Sequence, residues 1–166
     1  MLHRRRFHDW PDGARIASEL GLAKESQVRE LLQRFAGQEV DGALLGLSGR
    51  VRLPTFDRVA PCRSADGQVE VDALAEGDDR WVVEIKWRNR LAGLKEIQKL
   101  VQTAQAMTAR PWFISRVGFT PEAAAYAQQA GVRCSAREQI EMLAKIVSNR
   151  SGLNLEASLH CVQSLP

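Results

Sequence analysis

Histidines, cysteines and long apolar runs are scarce in this sequence of 166 residues, and each scarcity excludes a class of function. The three cysteines are odd in number, far apart and never spaced as C-x-x-C, which argues against a disulfide framework or a zinc site and fits a reducing cytoplasm. Because the histidines lie near the chain ends, at His3, His8 and His160, histidine-based catalysis is not expected. No run approaches the roughly 18 apolar residues of a membrane span, so no membrane partner is expected.

Positive charge is concentrated in one stretch of the chain, although the net charge is only +3. Between Arg80 and Lys99 there are six cations and two anions, which leaves a local excess of four positive charges. A local excess of this kind can bind phosphates without a strongly basic whole chain. The same stretch is also compatible with the ordinary solvated start of a helix.

The segment from residue 67 to 90 predicts a β-hairpin. Apolar and polar residues alternate over Gln68–Ala75 and again over Trp81–Trp87, and the polar segment Glu76–Arg80 between them has Gly and Asp at turn positions. An antiparallel pairing makes Asp72 face Glu84 and Lys86. The apolar content of the second strand predicts that it is covered on both faces, where charges are unfavourable unless they are paired, bound to metal or exposed to a cleft.

Two carboxylates that converge on such a strand repel each other, and a divalent cation relieves that repulsion. The oxygen ligands of Asp72 and Glu84 suit Mg²⁺ or Mn²⁺, which keep water molecules and accept phosphate oxygens. Lys86 lies two residues after Glu84, on the same face of the strand. There it can orient or deprotonate an attacking water, or stabilise charge on a phosphate. These three side chains predict metal-assisted phosphodiester hydrolysis.

Two other hypotheses remain open from the residues alone. Taken by itself, Glu84-Ile85-Lys86 is typical of an exposed, solvated strand. The domain can therefore be a catalytically silent module that binds DNA or a partner protein. It can also be a scaffold in which the charges of the hairpin form a surface ion-pair network.

The order and spacing of the hairpin residues resemble those of the PD-(D/E)xK nuclease superfamily, whose members share the restriction-endonuclease-like fold. Asp72 is followed twelve residues later by Glu84-Ile85-Lys86, and Val71 stands before it where the superfamily pattern has Pro. Within the superfamily the chain is most similar to the Mrr-like restriction endonucleases and the archaeal Holliday-junction-resolvase-like branch. Two further segments extend the resemblance over about residues 24–147, namely the helix pattern Glu25-x-x-Val28-x-x-Leu31-Leu32 and the strand-to-helix segment Phe113–Ala123.

The resemblance implies a metal-dependent endonuclease that acts on DNA. Asp72, Glu84 and the carbonyl of Ile85 would hold Mg²⁺ or Mn²⁺, Lys86 would position or activate water, and Glu25 would help to hold the metal. The expected DNA-binding residues come from the basic stretch and from the helix after the hairpin, and they are Arg88, Arg90, Lys95 and Gln98. A homodimer is expected because cutting two strands is easiest with two sites, and an ATPase or targeting subunit is a further expected partner.

The pattern of elements predicts an α/β fold. A helix over Lys24–Ala36 is followed by three strands, and strands then alternate with helices. The predicted later elements are strands over Arg50–Ala60, Pro111–Arg116 and Val132–Cys134, and helices near 94–107, 120–131 and from Ser135 onward. A β-meander followed by βαβ crossovers predicts a restriction-endonuclease-like mixed β-sheet with helices on both faces. We expect residues 1–23 to form a basic extension, 24–147 the nuclease-like domain and 148–166 a loose tail.

Overall fold

The computed structural model describes the backbone of residues 13–160 and the side chains of residues 21–149, so the basic Arg4-Arg5-Arg6 stretch lies outside it. The helices are α1 Gly13–Gln33, α2 Leu94–Ala106, α3 Pro121–Ala130 and α4 Arg137–His160, with a short 3₁₀ helix at Gly42–Leu45. The strands are β1 Glu39–Asp41, β2 Arg50–Arg52, β3 Phe56–Arg63, β4 Glu70–Gly77, β5 Arg80–Lys86, β6 Arg110–Ser115 and β7 Arg133–Ser135. None of the helices in the described part is long and apolar enough to cross a membrane.

Five strands form one mixed sheet in the order β3-β4-β5-β6-β7, and β1 pairs with β2 in a separate two-stranded sheet. The strands β3, β4 and β5 form an antiparallel meander. The strands β6 and β7 are each parallel to their predecessor, which the helices α2 and α3 make possible as crossovers. The predicted fold class, an α/β fold with a meander plus crossovers, is confirmed.

The sheet is covered on both faces, as the apolar strand β5 predicts. On one face Trp81 and Ile85 pack against α1 and α4, and the indole rings of Trp81 and Trp112 meet edge to face at 5.8 Å. On the other face Val82 and Phe113 pack against α2 and α3. The central strand is therefore fixed from both sides, and the charged residues at its end are held on a rigid support.

The first and the last helix, α1 and α4, are longer than the sequence predicts. Helix α1 begins at Gly13 instead of Lys24 and ends at Gln33 instead of Ala36. Gly21 lies inside the helix, where a glycine costs about 1 kcal/mol but does not have to end it. Helix α4 continues to His160, so the predicted loose tail is wrong for residues 148–160. The domain boundaries themselves stay predictions.

The predicted first strand is divided in two. The chain leaves β2 before Pro54 and enters β3 at Phe56, and β3 then continues through Pro61, beyond the predicted end at Ala60. Strand β3 is an edge of the five-stranded sheet. A proline is tolerated on an edge strand because its missing N–H is not needed for a ladder on both sides.

Ser135 does not begin a helix, although the sequence predicts that it does. It lies buried in β7, where its hydroxyl accepts a hydrogen bond from Trp112 Nε1 (3.0 Å) and donates to the carbonyl of Leu44 (2.6 Å). At the start of α4 the side chain of Gln139 accepts a hydrogen bond from the N–H of Ala136 instead (2.7 Å). The prediction for α3 is confirmed, since Thr120 is its N-cap and a proline opens the helix.

Candidate active site

Asp72 lies at a β-bulge at the start of β4. Two residues of β4, Asp72 and Ala73, lie opposite a single residue of β3, Pro61. Val71 and Ala73 consequently pack into opposite faces of the sheet, although they are two residues apart. A bulge turns the chain locally and re-aims a side chain, and here it re-aims Asp72 toward β5.

The carboxylate of Asp72 accepts a main-chain N–H of β5, in place of a main-chain carbonyl of β4. The last paired residues of the two strands are Ala73 and Val83, and beyond them Asp72 Oδ2 accepts the N–H of Ile85 at 2.7 Å. The N–H and C=O of one strand residue point to the same side of the strand. The carbonyl of Ile85 therefore also faces the end of β4 where Asp72 lies.

Glu84 and Lys86 lie on the face of β5 that α2 covers, because Trp81, Val83 and Ile85 alternate with them and fill the core of the other face. The ammonium group of Lys86 contacts Glu84 Oε1. Both side chains are largely buried but keep some contact with solvent. The predicted proximity of Asp72, Glu84 and Lys86 at the end of the hairpin is what the structure shows.

Helix α1 brings two further charged residues to this point. Arg29 donates a hydrogen bond through Nη1 to the carbonyl oxygen of Asp72 at 2.8 Å. Glu25, one turn earlier, lies 4.0 Å from Arg29. Glu30, farther along the helix, is exposed to solvent. Arg29 is absent from the predicted site, although its spacing of four residues from Glu25 places both on one face of the helix.

The three acidic residues have raised pKa values for a shared reason. Burial raises the pKa of Asp72, and the Ile85 N–H and the charges of Lys86 and Arg29 only partly oppose it. Burial also raises the pKa of Glu84, and the negative charge of Asp72 adds to it. For Glu25 burial again comes first and the charge of Asp72 second. The site therefore has an excess of poorly solvated negative charge, which a cation would relieve.

Lys86 keeps its proton at neutral pH. Burial lowers the pKa of Lys86, but the contact with Glu84 and the negative charges of Glu84 and Asp72 outweigh it, so the pKa is raised overall. A protonated ammonium group donates hydrogen bonds and accepts none. The structure thus favours Lys86 as a donor to water or phosphate oxygen, and not as a base.

A cavity of about 270 Å³ opens beside Glu84 and Lys86. Its wall on the side of α2 includes Lys99 and Thr103, four residues apart on one face of the helix. Neither of them is among the predicted site residues, and the positive charge of Lys99 acts on Glu84. Gln98, which is predicted to reach the site, is not among the residues that line the cavity.

The cations that follow β5 differ in their surroundings. Arg88 lines the cavity and donates a hydrogen bond to Glu96, whose other oxygen accepts the N–H of Gly93 (3.0 Å) at the start of α2. Burial alone would raise the pKa of Glu96, but the Gly93 N–H and Arg88 hold it below its ordinary value. Arg90 is 3.9 Å from Glu96 and 72% exposed, and Lys95 is exposed as well. Arg88 is therefore part of the wall, whereas Arg90 and Lys95 face solvent.

The donor atoms fit a hard divalent cation with an open coordination shell. In the described part of the chain, no three His, Cys, Asp or Glu side chains converge on one point. The available donors are the carboxylates of Asp72 and Glu84 and the carbonyl of Ile85, all of them oxygens. Mg²⁺ is commonly bound by one or two carboxylates and otherwise keeps water or phosphate oxygens. Glu25 then acts from outside this donor set.

Comparison with known proteins identifies the family of the chain. Residues 55–144, more than half of the chain, match the model of the restriction endonuclease family Mrr_cat. No curated protein matches the chain. Two solved structures are similar: a protein of unknown function, AF1548 (20% identity, TM-score 0.48, 69% of this chain and 57% of that one), and the DNA modification-dependent restriction endonuclease AspBHI (13% identity, TM-score 0.45, 89% and 39%). The chain thus spans less than two thirds of either structure. On the family match, this chain belongs to the Mrr-type restriction endonuclease family.

Proposed function

We propose that this domain is a metal-dependent endonuclease that hydrolyses phosphodiester bonds of DNA. The observation that supports the proposal most is the proximity of Asp72 and Glu84, both with raised pKa values, to the protonated Lys86, with Glu84 and Lys86 lining an open cavity. Membership of a nuclease family gives this arrangement its reaction class. DNA is the corresponding substrate.

The residues have separate roles in this proposal. Asp72, Glu84 and the Ile85 carbonyl hold Mg²⁺ or Mn²⁺, which when bound supplies positive charge next to the phosphate. Lys86 donates a hydrogen bond to the attacking water or to a phosphate oxygen and stabilises the negative charge that develops there. Glu25 adds negative charge close to these metal ligands and so favours retention of the cation.

DNA contacts outside the catalytic residues are proposed for cations that are exposed to solvent. Arg90 and Lys95 reach solvent next to the cavity and are proposed to bind phosphates, while Arg88 shapes the wall. Gln98 lies outside the lining and is proposed only as a peripheral contact. A homodimer, and an ATPase or targeting subunit, are proposed partners, and a second copy of the chain would supply a second active site for the other DNA strand.

The metal site is tested by calorimetric titration of Mn²⁺ into the metal-free protein. We expect binding by the wild type and its loss on changing both Asp72 and Glu84 to Ala, since the remaining carbonyl cannot hold a cation alone. Glu30→Ala is the matched control, because Glu30 is an exposed acid on the same helix as Glu25. Undiminished Mn²⁺ binding by the double variant would remove these residues from the metal site.

A further inference from the structure

Two loops lie side by side at the end of the strands that carries the candidate active site. Residues 87–93 follow β5 and residues 116–120 follow β6. Because these two strands are parallel, both loops begin at the same end of the sheet. The N–H of Arg116 donates to the carbonyl of Lys86 at 3.0 Å. The second loop therefore begins next to the proposed catalytic lysine. We refer to residues 87–93 and 116–120 as the rim loops.

The rim loops are fixed to each other by main-chain hydrogen bonds. The N–H of Ala92 donates to the carbonyl of Gly118 (3.0 Å), and the N–H of Thr120 donates to the carbonyl of Ala92 (3.0 Å). The buried hydroxyl of Ser115 donates to Gly118 as well (2.7 Å). Loops held in this way present their side chains with little loss of freedom on binding.

The rim loops expose two apolar side chains at their tip. Leu91 is 45% exposed and Val117 is 44% exposed, and they are two of only four large apolar residues exposed in the described part of the chain. A Cβ atom on Gly118 would lie 3.9 Å from a methyl group of Leu91, so Leu91 extends over the turn that follows Val117. An apolar tip on a rigid loop pair is a feature that packing of the core does not require.

Each of these two apolar residues is preceded in the chain by an arginine. Arg90 precedes Leu91 and is 72% exposed, and Arg116 precedes Val117. A second copy of the chain docking through the tip in a two-fold contact would set these arginines against their own copies. Nucleic acid offers the opposite match, because it has apolar base faces for the tip and phosphates for the arginines.

We propose that the rim loops are a DNA-contacting platform that recognises an exposed base beside the hydrolysed bond. Leu91 and Val117 pack against the face of that base, and Arg90 and Arg116 bind the flanking phosphates. The substrate class is then DNA whose base stacking is interrupted next to the cut, since an intact stack hides the base face. The position of the cut rests on the proposed function, whereas the contact itself needs only DNA binding.

The test compares binding of two fluorescent duplexes that differ by one unpaired adenine, measured by anisotropy in chelator so that no hydrolysis occurs. We expect the wild type to prefer the duplex with the unpaired base, and Leu91→Ser with Val117→Ser to weaken that binding about tenfold. The slope of affinity against salt should stay unchanged in this variant, because an apolar contact releases no counterions. Arg90→Ala should instead lower that slope by about one.

Met142→Ser is the matched control, because Met142 is equally exposed (49%) but lies on α4. Thermal unfolding and sedimentation check the fold and the mass of every variant. Equal binding of the bulged duplex by the wild type and the double variant would overturn the proposal. A lower mass of the double variant alone would also overturn it, because the tip would then be a contact between two copies of the chain. Absence of plasmid cleavage by the wild type would refute the nuclease proposal but not the platform, whereas absence of DNA binding would refute both.

Discussion

At the scale of single residues, Asp72 connects three elements. Its side chain accepts the Ile85 N–H of β5, its carbonyl accepts a hydrogen bond from Arg29 of α1, and its bulge lies opposite Pro61 of β3. The alternation of the hairpin is enough to predict that Asp72 faces Glu84. The bulge and the contact with Arg29 could not be predicted, because they depend on pairing between segments far apart in the sequence.

We predict that Asp72→Asn stabilises the metal-free protein at neutral pH. A carboxyl whose pKa is raised on folding costs stability above its folded pKa, and this cost disappears below the unfolded pKa, where both states are protonated. Asparagine keeps an acceptor for the Ile85 N–H. The midpoint of thermal unfolding in chelator should therefore rise by about 2–4 °C at neutral pH and by much less at acid pH. Asp57→Asn, an exposed change on β3, is the control, and a gain that does not depend on pH would contradict the explanation.

Arg29→Ala should lower stability, because the variant loses a hydrogen bond from a charged donor to the Asp72 carbonyl. Such bonds contribute about 1.5–3 kcal/mol, and the partial exposure of Arg29 puts the expected loss near the lower value. Urea unfolding measures it. Arg34→Ala, at an exposed position in the turn just after the same helix, should change the free energy of unfolding by less than about 0.5 kcal/mol. Equal effects of the two changes would show that the contact with Asp72 contributes nothing.

At the scale of elements, strongly periodic segments are predicted well and short ones are not. The hairpin β4–β5 and the helices α2 and α3 are predicted because periodicity, caps and turn residues agree over seven or more residues. The segment before the predicted strand Arg50–Ala60 could not be assigned, since β1 has three residues and a strand that short shows no period. Ser135 is wrongly predicted to begin a helix because the hydrogen bond that holds it in β7 reaches Leu44, 91 residues away.

Ser135→Ala tests how firmly the end of the sheet is joined to the 3₁₀ helix. The change leaves the buried Nε1 of Trp112 and the carbonyl of Leu44 without the hydroxyl that both contact. Unsatisfied buried groups cost about 1–3 kcal/mol each, so we expect a loss of about 2–4 kcal/mol in urea unfolding. Ser48→Ala, at an exposed serine of the same region, should have almost no effect. A loss below about 0.5 kcal/mol for Ser135→Ala would mean that water replaces the hydroxyl.

At the scale of the whole molecule, the mixed sheet brings α1 and the hairpin together at one end of the strands. Glu25 and Glu84 therefore lie near each other although they are far apart in sequence. The order of elements and the family resemblance were sufficient to predict this topology, because each connection within the sheet is short or contains one helix. The cavity could not be predicted in the same way. Lys99 and Thr103 line it because of the rotation of α2 against the sheet, which periodicity does not specify.

Cleavage of supercoiled plasmid DNA is the most direct test of the proposed endonuclease. The wild type is incubated with Mg²⁺ or Mn²⁺ beside Lys86→Ala, with Lys145→Ala, an exposed lysine on α4, as the matched control. We expect nicked or linear DNA from the wild type and from Lys145→Ala, a loss of at least about a hundredfold in rate for Lys86→Ala, and no product in chelator. Undiminished cleavage by Lys86→Ala, or cleavage that persists in chelator, would contradict the assignment of this site.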